Sequence, residues 1–142
     1  MNMSRHWLAL FVFGFALNAC GDDPPVCAEE EEEGNEIGPT DSVCNGSSLT
    51  YDNFGQAFMQ KYCTECHSSS KKGEEARKCA PGDHNFDDLD AILLQREHID
   101  EHAAAGPNGV NDVMPPKGEA KPTEQERRDL GTWLACEEER MP

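Results

Sequence analysis

Three segments of the chain repeat apolar residues at intervals of three and four, the spacing that gives a helix one apolar face. This spacing predicts helices over residues 51–62, 87–105 and 123–138. Their apolar positions are Tyr51, Phe54, Phe58 and Tyr62 in the first, Leu89, Ile92, Leu93, Ile99 and Ala103 in the second, and Leu130, Trp133 and Leu134 in the third. No segment alternates apolar and polar residues convincingly, so the pattern predicts an all-α domain.

A continuous apolar run near the N-terminus predicts export. It extends from Trp7 to Leu17, too short to span a bilayer as a mature helix but suited to a signal-peptide core. The run ends in Leu-Asn-Ala-Cys at residues 17–20, which resembles the lipobox of bacterial lipoproteins. We predict a lipoprotein signal peptide over residues 1–19 and a lipid anchor on Cys20; an ordinary secretory signal is the alternative. Gly21, rather than Asp, favours the outer membrane, facing the periplasm or the cell surface.

The next stretch, residues 20–43, predicts a disordered acidic tether. It contains prolines, glycines and five consecutive glutamates at residues 29–33, and adjacent like charges favour an extended, hydrated chain. The whole chain carries a formal charge of −16. This charge argues against nucleic acid as a partner, because phosphate binding needs clustered Lys and Arg. The globular domain is then expected over residues 44–142.

Two cysteines and a histidine follow the first predicted helix closely. They are Cys63, Cys66 and His67, in the spacing C-x-x-C-H. This spacing suits haem attachment, since two thiols can join the two vinyl groups while the imidazole reaches the iron. Three other uses of the cysteines compete. A thioredoxin-type site would need a βαβ setting, a zinc site would need further ligands such as Cys79, and the two thiols could form a disulfide.

A methionine further along the chain supports the haem interpretation. Met114 precedes two prolines in a glycine-bounded loop, and its thioether is a soft ligand that suits haem iron in electron carriers. The apolar content of 37% is low, so a large apolar cofactor would add to a thin core. From the first helix and C-x-x-C-H to Met-Pro-Pro and the aromatic C-terminal helix, the chain resembles a class I c-type cytochrome domain over about residues 49–136.

The resemblance implies a small three-helix fold around one covalently attached haem c. Cys63 and Cys66 would carry the thioether bonds, and His67 and Met114 would be the axial ligands of the iron. The carbonyl of Pro81 would orient the His67 ring, which fixes its tautomer and tunes the iron. Met59 precedes the motif and is expected to pack in the first helix.

The implied function is electron transfer to and from redox protein partners, by an iron that alternates between Fe(II) and Fe(III). We expect a carrier rather than an enzyme, acting alone or within a larger oxidoreductase system. One alternative is a sensor in which Met114 leaves the iron for a gas, and another is a protein whose haem is structural. A remote alternative is a zinc site in His98-Ile99-Asp100-Glu101-His102, which matches H-x-x-E-H. Three histidines, at positions 84, 98 and 102, also compete with Met114 as iron ligands.

Four cysteines remain after Cys20 and the haem pair are set aside, and four allow three pairings. Cys44 precedes the first helix and Cys136 ends the last. Because the resemblance implies that these helices cross, Cys44–Cys136 is the preferred bond, and Cys27–Cys79 follows by elimination. Cys27–Cys44 with Cys79–Cys136 is the alternative.

Overall fold

The structure, a computed structural model, describes Cys27 and residues 38–141. The predicted signal peptide, the lipidation site Cys20 and most of the predicted tether lie outside these residues. Within the described part of the chain, every helix is too short or too polar to cross a membrane.

The described residues form five α-helices, one π-helical turn and one short hairpin. A π-helical turn, Tyr51–Gly55, leads directly into the first α-helix. The elements that follow are α1 (Gln56–Tyr62), α2 (Gly73–Ala76), α3 (Leu89–Leu94), α4 (Arg96–Ala103), β1 (Ala105–Gly106), β2 (Gly109–Val110) and α5 (Glu124–Arg140). The two strands are antiparallel and pair Ala105 with Val110 and Gly106 with Gly109.

The predicted three-helix arrangement needs correction in the middle of the chain. The helix expected over residues 87–105 is interrupted at Gln95, whose φ of −111° and ψ of 13° leave the helical region. Apolar spacing did not reveal this interruption, because Ile92 and Ile99 are seven residues apart and share a face of a continuous helix as well. The helix α2 and the hairpin were also not expected. Strands of two residues are too short to show an alternating pattern.

The first and last helices pack against each other around an aromatic ring. Trp133 of α5 is fully buried, and a Cβ atom added to Gly55 would overlap its indole ring. Phe54 meets the same ring edge-on at 6.1 Å between ring centroids. Glycine therefore allows the close approach of the first helical segment to α5. Gly131 serves a different contact, since its Cα faces Ser42 and the carbonyl of Ala105.

Residues 38–43, which the composition assigned to the tether, lie against the domain. Thr40 is only 1% exposed, and its backbone N–H and hydroxyl both donate to the carboxylate of Asp100, at 2.7 and 2.6 Å. The side chain of Asn111 donates to the carbonyl of Gly38 at 2.8 Å. These buried polar contacts extend the folded part of the chain at least to residue 38.

Two disulfide bonds connect distant parts of the chain. Cys44 is bonded to Cys136 in α5, and Cys27 is bonded to Cys79 in the loop after α2. This is the pairing preferred in the sequence analysis. Neither bond involves Cys63 or Cys66.

Candidate haem site

An apolar cavity of about 280 Å³ brings together the side chains predicted to bind haem. Cys63, Cys66, His67 and Met114 all line it, although 51 residues separate the first from the last. Its remaining lining is largely aromatic, aliphatic or imidazole and includes Phe58, Tyr62, Phe86 and Ile99. A second cleft of about 290 Å³, between residues 39–42, α4 and α5, is lined mainly by charged side chains and contains no cysteine. The apolar cavity is therefore the candidate cofactor site.

The C-x-x-C-H sequence forms a tight turn at the end of α1. The backbone N–H groups of Cys66 and His67 both donate to the carbonyl of Cys63, at 3.1 and 2.9 Å. The two thiols and the imidazole all line the same cavity. The turn begins where α1 ends, at Tyr62.

The two thiols have the properties of uncharged side chains rather than of reactive thiolates. Burial raises the pKa of Cys63 to about 12 and also raises the pKa of Cys66. Thioredoxin-type cysteines are instead stabilised as thiolates. Among the described residues, no three His, Cys, Asp or Glu side chains are placed to hold a metal ion together. The geometry thus offers no support for the thioredoxin and zinc interpretations, including the one based on His98 and His102.

His67 is held as a neutral imidazole on the wall of the cavity. Burial lowers its pKa to about 4, so the ring is uncharged at neutral pH, the form that binds metals. Its Nδ1 atom is buried and has no hydrogen-bond partner among the described residues. The ring stacks on Phe86 at 4.6 Å between centroids, and the Phe86 N–H donates to the His67 carbonyl at 2.8 Å. A buried ring nitrogen without a protein partner, beside two thiols, fits a site for haem.

The predicted hydrogen bond from the His67 ring to the Pro81 carbonyl is not present in this structure. The Pro81 carbonyl accepts instead from Arg77 Nη2 at 2.5 Å and from the His84 N–H at 3.2 Å. Arg77 is 4% exposed. Its guanidinium also donates to the carbonyls of Ser68, Ala80 and His84 and to the side chain of Asn85. A buried guanidinium must satisfy its donors, and here it does so with the oxygens of the loop after the motif.

Met114 lies in a loop that several hydrogen bonds fix. Its N–H donates to the carbonyl of His102 at 2.8 Å, and its carbonyl accepts from Arg127 Nη1 at 2.8 Å. Lys121 donates to the carbonyls of Asp112 and Pro115 on either side of the methionine. The residue is 36% exposed, so it borders both the cavity and solvent.

Three further histidines line the same cavity, at positions 84, 98 and 102. The rings of His98 and His102 are 3.9 Å apart between centroids, and that of His84 is 4.7 Å from His98. They are the three histidines that the sequence named as competitors of Met114 for the iron. Met59, in contrast, is 1% exposed and packs in the hydrophobic core.

Comparison with known protein families shows the family to which the chain belongs. The family model described as "Cytochrome C oxidase, cbb3-type, subunit III" matches residues 53–134, more than half of the chain. The chain belongs to this family of cytochrome c domains. The matched range of the cytochrome domain runs from the first helical segment to α5 and includes Cys63, Cys66, His67 and Met114. No curated protein and no solved structure matches the chain.

Membership in the family has direct consequences for the cofactor and the activity. A cytochrome c domain is a haem protein with covalently bound haem c, and it passes electrons to redox partners. The mostly helical fold agrees with such a domain, with five helices and a two-stranded sheet in its described part.

Proposed function

We propose that this chain is a monohaem electron carrier whose haem c is attached to Cys63 and Cys66, with His67 and Met114 as axial ligands. One observation carries the proposal. The four side chains, which are distant in sequence, line a single apolar cavity. When bound, haem c supplies an iron that accepts and releases one electron.

The chain's own residues have separable roles in this proposal. The two thiols bind the cofactor covalently, and their position in one tight turn places them at a fixed separation. His67 offers a neutral imidazole whose ring orientation is set by stacking on Phe86 rather than by Pro81. Phe58, Tyr62 and Ile99 give the cavity apolar walls, which suit a large apolar cofactor.

Whether Met114 stays bound to the iron distinguishes a carrier from a sensor. A methionine that stays on the iron fills the sixth position and excludes gases, whereas a methionine that leaves opens that position. The partial exposure of Met114 gives the sensor alternative some basis, and the hydrogen bonds on both sides of the residue favour the carrier.

Replacing the methionine tests this assignment. The ferric wild-type protein is expected to show the weak far-red absorption band of methionine-ligated haem, and Met114→Ala is expected to abolish it and to lower the reduction potential, because methionine ligation raises it. Met59→Leu is the matched control and should leave both unchanged, since Met59 packs in the core. A band that survives in Met114→Ala would assign the sixth ligand elsewhere, with the three cavity histidines as the next candidates. Rapid carbon monoxide uptake by the ferrous wild-type protein would favour a sensor.

We also propose that residues 1–19 are removed as a signal peptide and that Cys20 carries a lipid anchor. The support is the apolar run and the Leu-Asn-Ala-Cys sequence at its end. A lipid on Cys20 would attach the domain to a membrane by acyl chains rather than by a spanning helix. The wild-type protein is expected in the membrane fraction and Cys20→Ser in the soluble or precursor fraction. A mature wild-type protein whose mass shows no acyl chains on Cys20 would refute the anchor.

A further inference from the structure

A buried arginine in α5 connects that helix to the loop of Met114. Arg127 is 3% exposed, and its Nη1 donates to the carbonyls of Ala103, Asn111 and Met114, at 2.7, 3.0 and 2.8 Å. Among the described residues, no carboxylate lies within ion-pair distance of it. The guanidinium is thus compensated by peptide oxygens of three segments: the end of α4, the residue after β2 and the methionine itself.

Burying this arginine costs free energy, so its presence in the interior needs an explanation. Arg127, Leu130 and Leu134 are spaced by three and four residues, so the arginine lies on the buried face of α5. An apolar residue could fill that place without the cost of removing a charge from water. Burial lowers the pKa of Arg127, although an arginine side chain remains charged in proteins. A buried cation therefore lies behind Ala103 and Met114, two residues that line the candidate haem site.

The hydrogen bonds of Arg127 complete the fixation of Met114. The N–H of Met114 is bonded to α4 through the His102 carbonyl, and its C=O is bonded to α5 through Arg127. Both backbone polar groups of one residue are thereby bonded to two different helices. The side chain of a residue whose peptide is fixed at both ends has only its own rotamers left to choose from.

We propose that Arg127 is a positioning residue that holds Met114 in place as the distal iron ligand. This inference rests on the proposed ligation by Met114. Charge-assisted hydrogen bonds to carbonyls are stronger than neutral ones, so Arg127 opposes the opening of the loop. Without it, Met114 leaves the iron more often, and exogenous ligands enter more readily.

The test compares Arg127 with its exposed neighbour. Arg127→Met keeps the apolar stem and removes the bonds, and Arg128→Met is the matched control, since Arg128 contacts Glu124 and the Gly106 carbonyl at the surface. In haem-loaded protein, Arg127→Met is expected to weaken or remove the far-red methionine band and to lower the reduction potential. Carbon monoxide should bind the ferrous form about tenfold faster or more, from the loss of bonds to a charged group. Arg128→Met should match the wild-type protein in all three measurements, and Arg127→Lys, which retains a cation, should restore part of the band.

The outcomes separate this inference from the proposed function. A wild-type protein without the methionine band refutes ligation by Met114 and with it the role of Arg127. If the wild-type protein has the band, and Arg127→Met retains the band, the potential and the slow carbon monoxide binding, then only the positioning role is refuted. If Arg127→Met does not accumulate, Arg127→Lys decides. Faster carbon monoxide binding at unchanged overall stability supports positioning, and a wild-type binding rate with reduced overall stability shows that Arg127 supports only the fold.

Discussion

At the scale of single residues, the environment of each side chain decides what the candidate site can do. Burial raises the pKa of Cys63 and Cys66, which argues against thiol redox chemistry, and lowers the pKa of His67, which keeps the imidazole in the neutral form that binds metals. Two buried arginines among the described residues have a different role. Arg77 and Arg127 each fix a loop beside the cavity by donating to its carbonyls.

A carboxylate that connects α1 with α5 gives a pH-dependent prediction. Glu126 accepts from the Thr123 N–H at 2.8 Å, from the Tyr62 hydroxyl at 2.8 Å and from Lys61 at 3.1 Å. These bonds, that of the Thr123 backbone foremost, lower the pKa of Glu126 from 4.5 to about 2. Because the folded protein has the lower pKa, the stabilisation is complete above pH 4.5 and is lost as the pH falls towards 2.

We expect Glu126→Gln to lower the free energy of unfolding by about 1–2 kcal/mol at neutral pH, after allowance for partial solvent screening. Denaturant unfolding between pH 7 and pH 2 measures the change, and the difference from the wild-type protein should shrink as the pH falls. Glu124→Gln is the control, because Glu124 bonds only to the exposed Arg128 among the described residues. A difference that stays constant with pH would contradict this assignment.

At the scale of secondary-structure elements, the packing of the first helical segment on α5 determines the frame of the site. Gly55 faces the fully buried ring of Trp133, and α1 then continues directly to the cysteines. A displacement of this contact would move the start of the C-x-x-C-H turn.

Gly55→Ala should therefore destabilise the domain by about 1–3 kcal/mol, because the added methyl group overlaps a rigid ring that has no space to move. Gly82→Ala is the matched control, since a Cβ atom there meets nothing within 4 Å. Thermal unfolding of both haem-loaded variants checks the prediction. Equal stability of the two would show that the crossing accommodates a larger residue.

The elements also show how far the sequence could predict the fold. The first and last helices were predictable from long apolar spacing, and the last one also from the capping box of Thr123 and Glu126. The interruption at Gln95 was not, because it leaves the apolar spacing of Ile92 and Ile99 unchanged. The hairpin was not predictable either, because strands of two residues are too short to show an alternating pattern.

The residues of the candidate site also fall into those that the sequence could predict and those that it could not. The cysteines, His67 and Met114 have side chains whose chemistry is specific to few uses, and their spacing is informative. The sequence did not reveal the roles of Arg77 and Arg127, because a sequence alone does not distinguish a buried arginine from an exposed one. The one signal for Arg127 was its place on the apolar face of α5, three residues before Leu130. Phe86 became a site residue only through its stacking on His67.

At the scale of the whole molecule, the cofactor cavity lies in a domain that two disulfide bonds cross-link. Cys44–Cys136 joins the start of the described domain to α5, and Cys27–Cys79 ties an N-terminal residue to the loop after α2. Each bond restricts the unfolded chain and adds about 2–4 kcal/mol of stability. Such bonds form in oxidising compartments.

The most direct test of the central claim is the mass of the mature protein after export from a host that attaches haem. We expect the intact mass to exceed that of the polypeptide and its modifications by one haem, and fragment spectra to place the haem on Cys63 and Cys66. The double variant Cys63→Ala, Cys66→Ala should carry none. A mature wild-type protein without haem, with Cys63 and Cys66 as free thiols or joined to each other, would contradict the account.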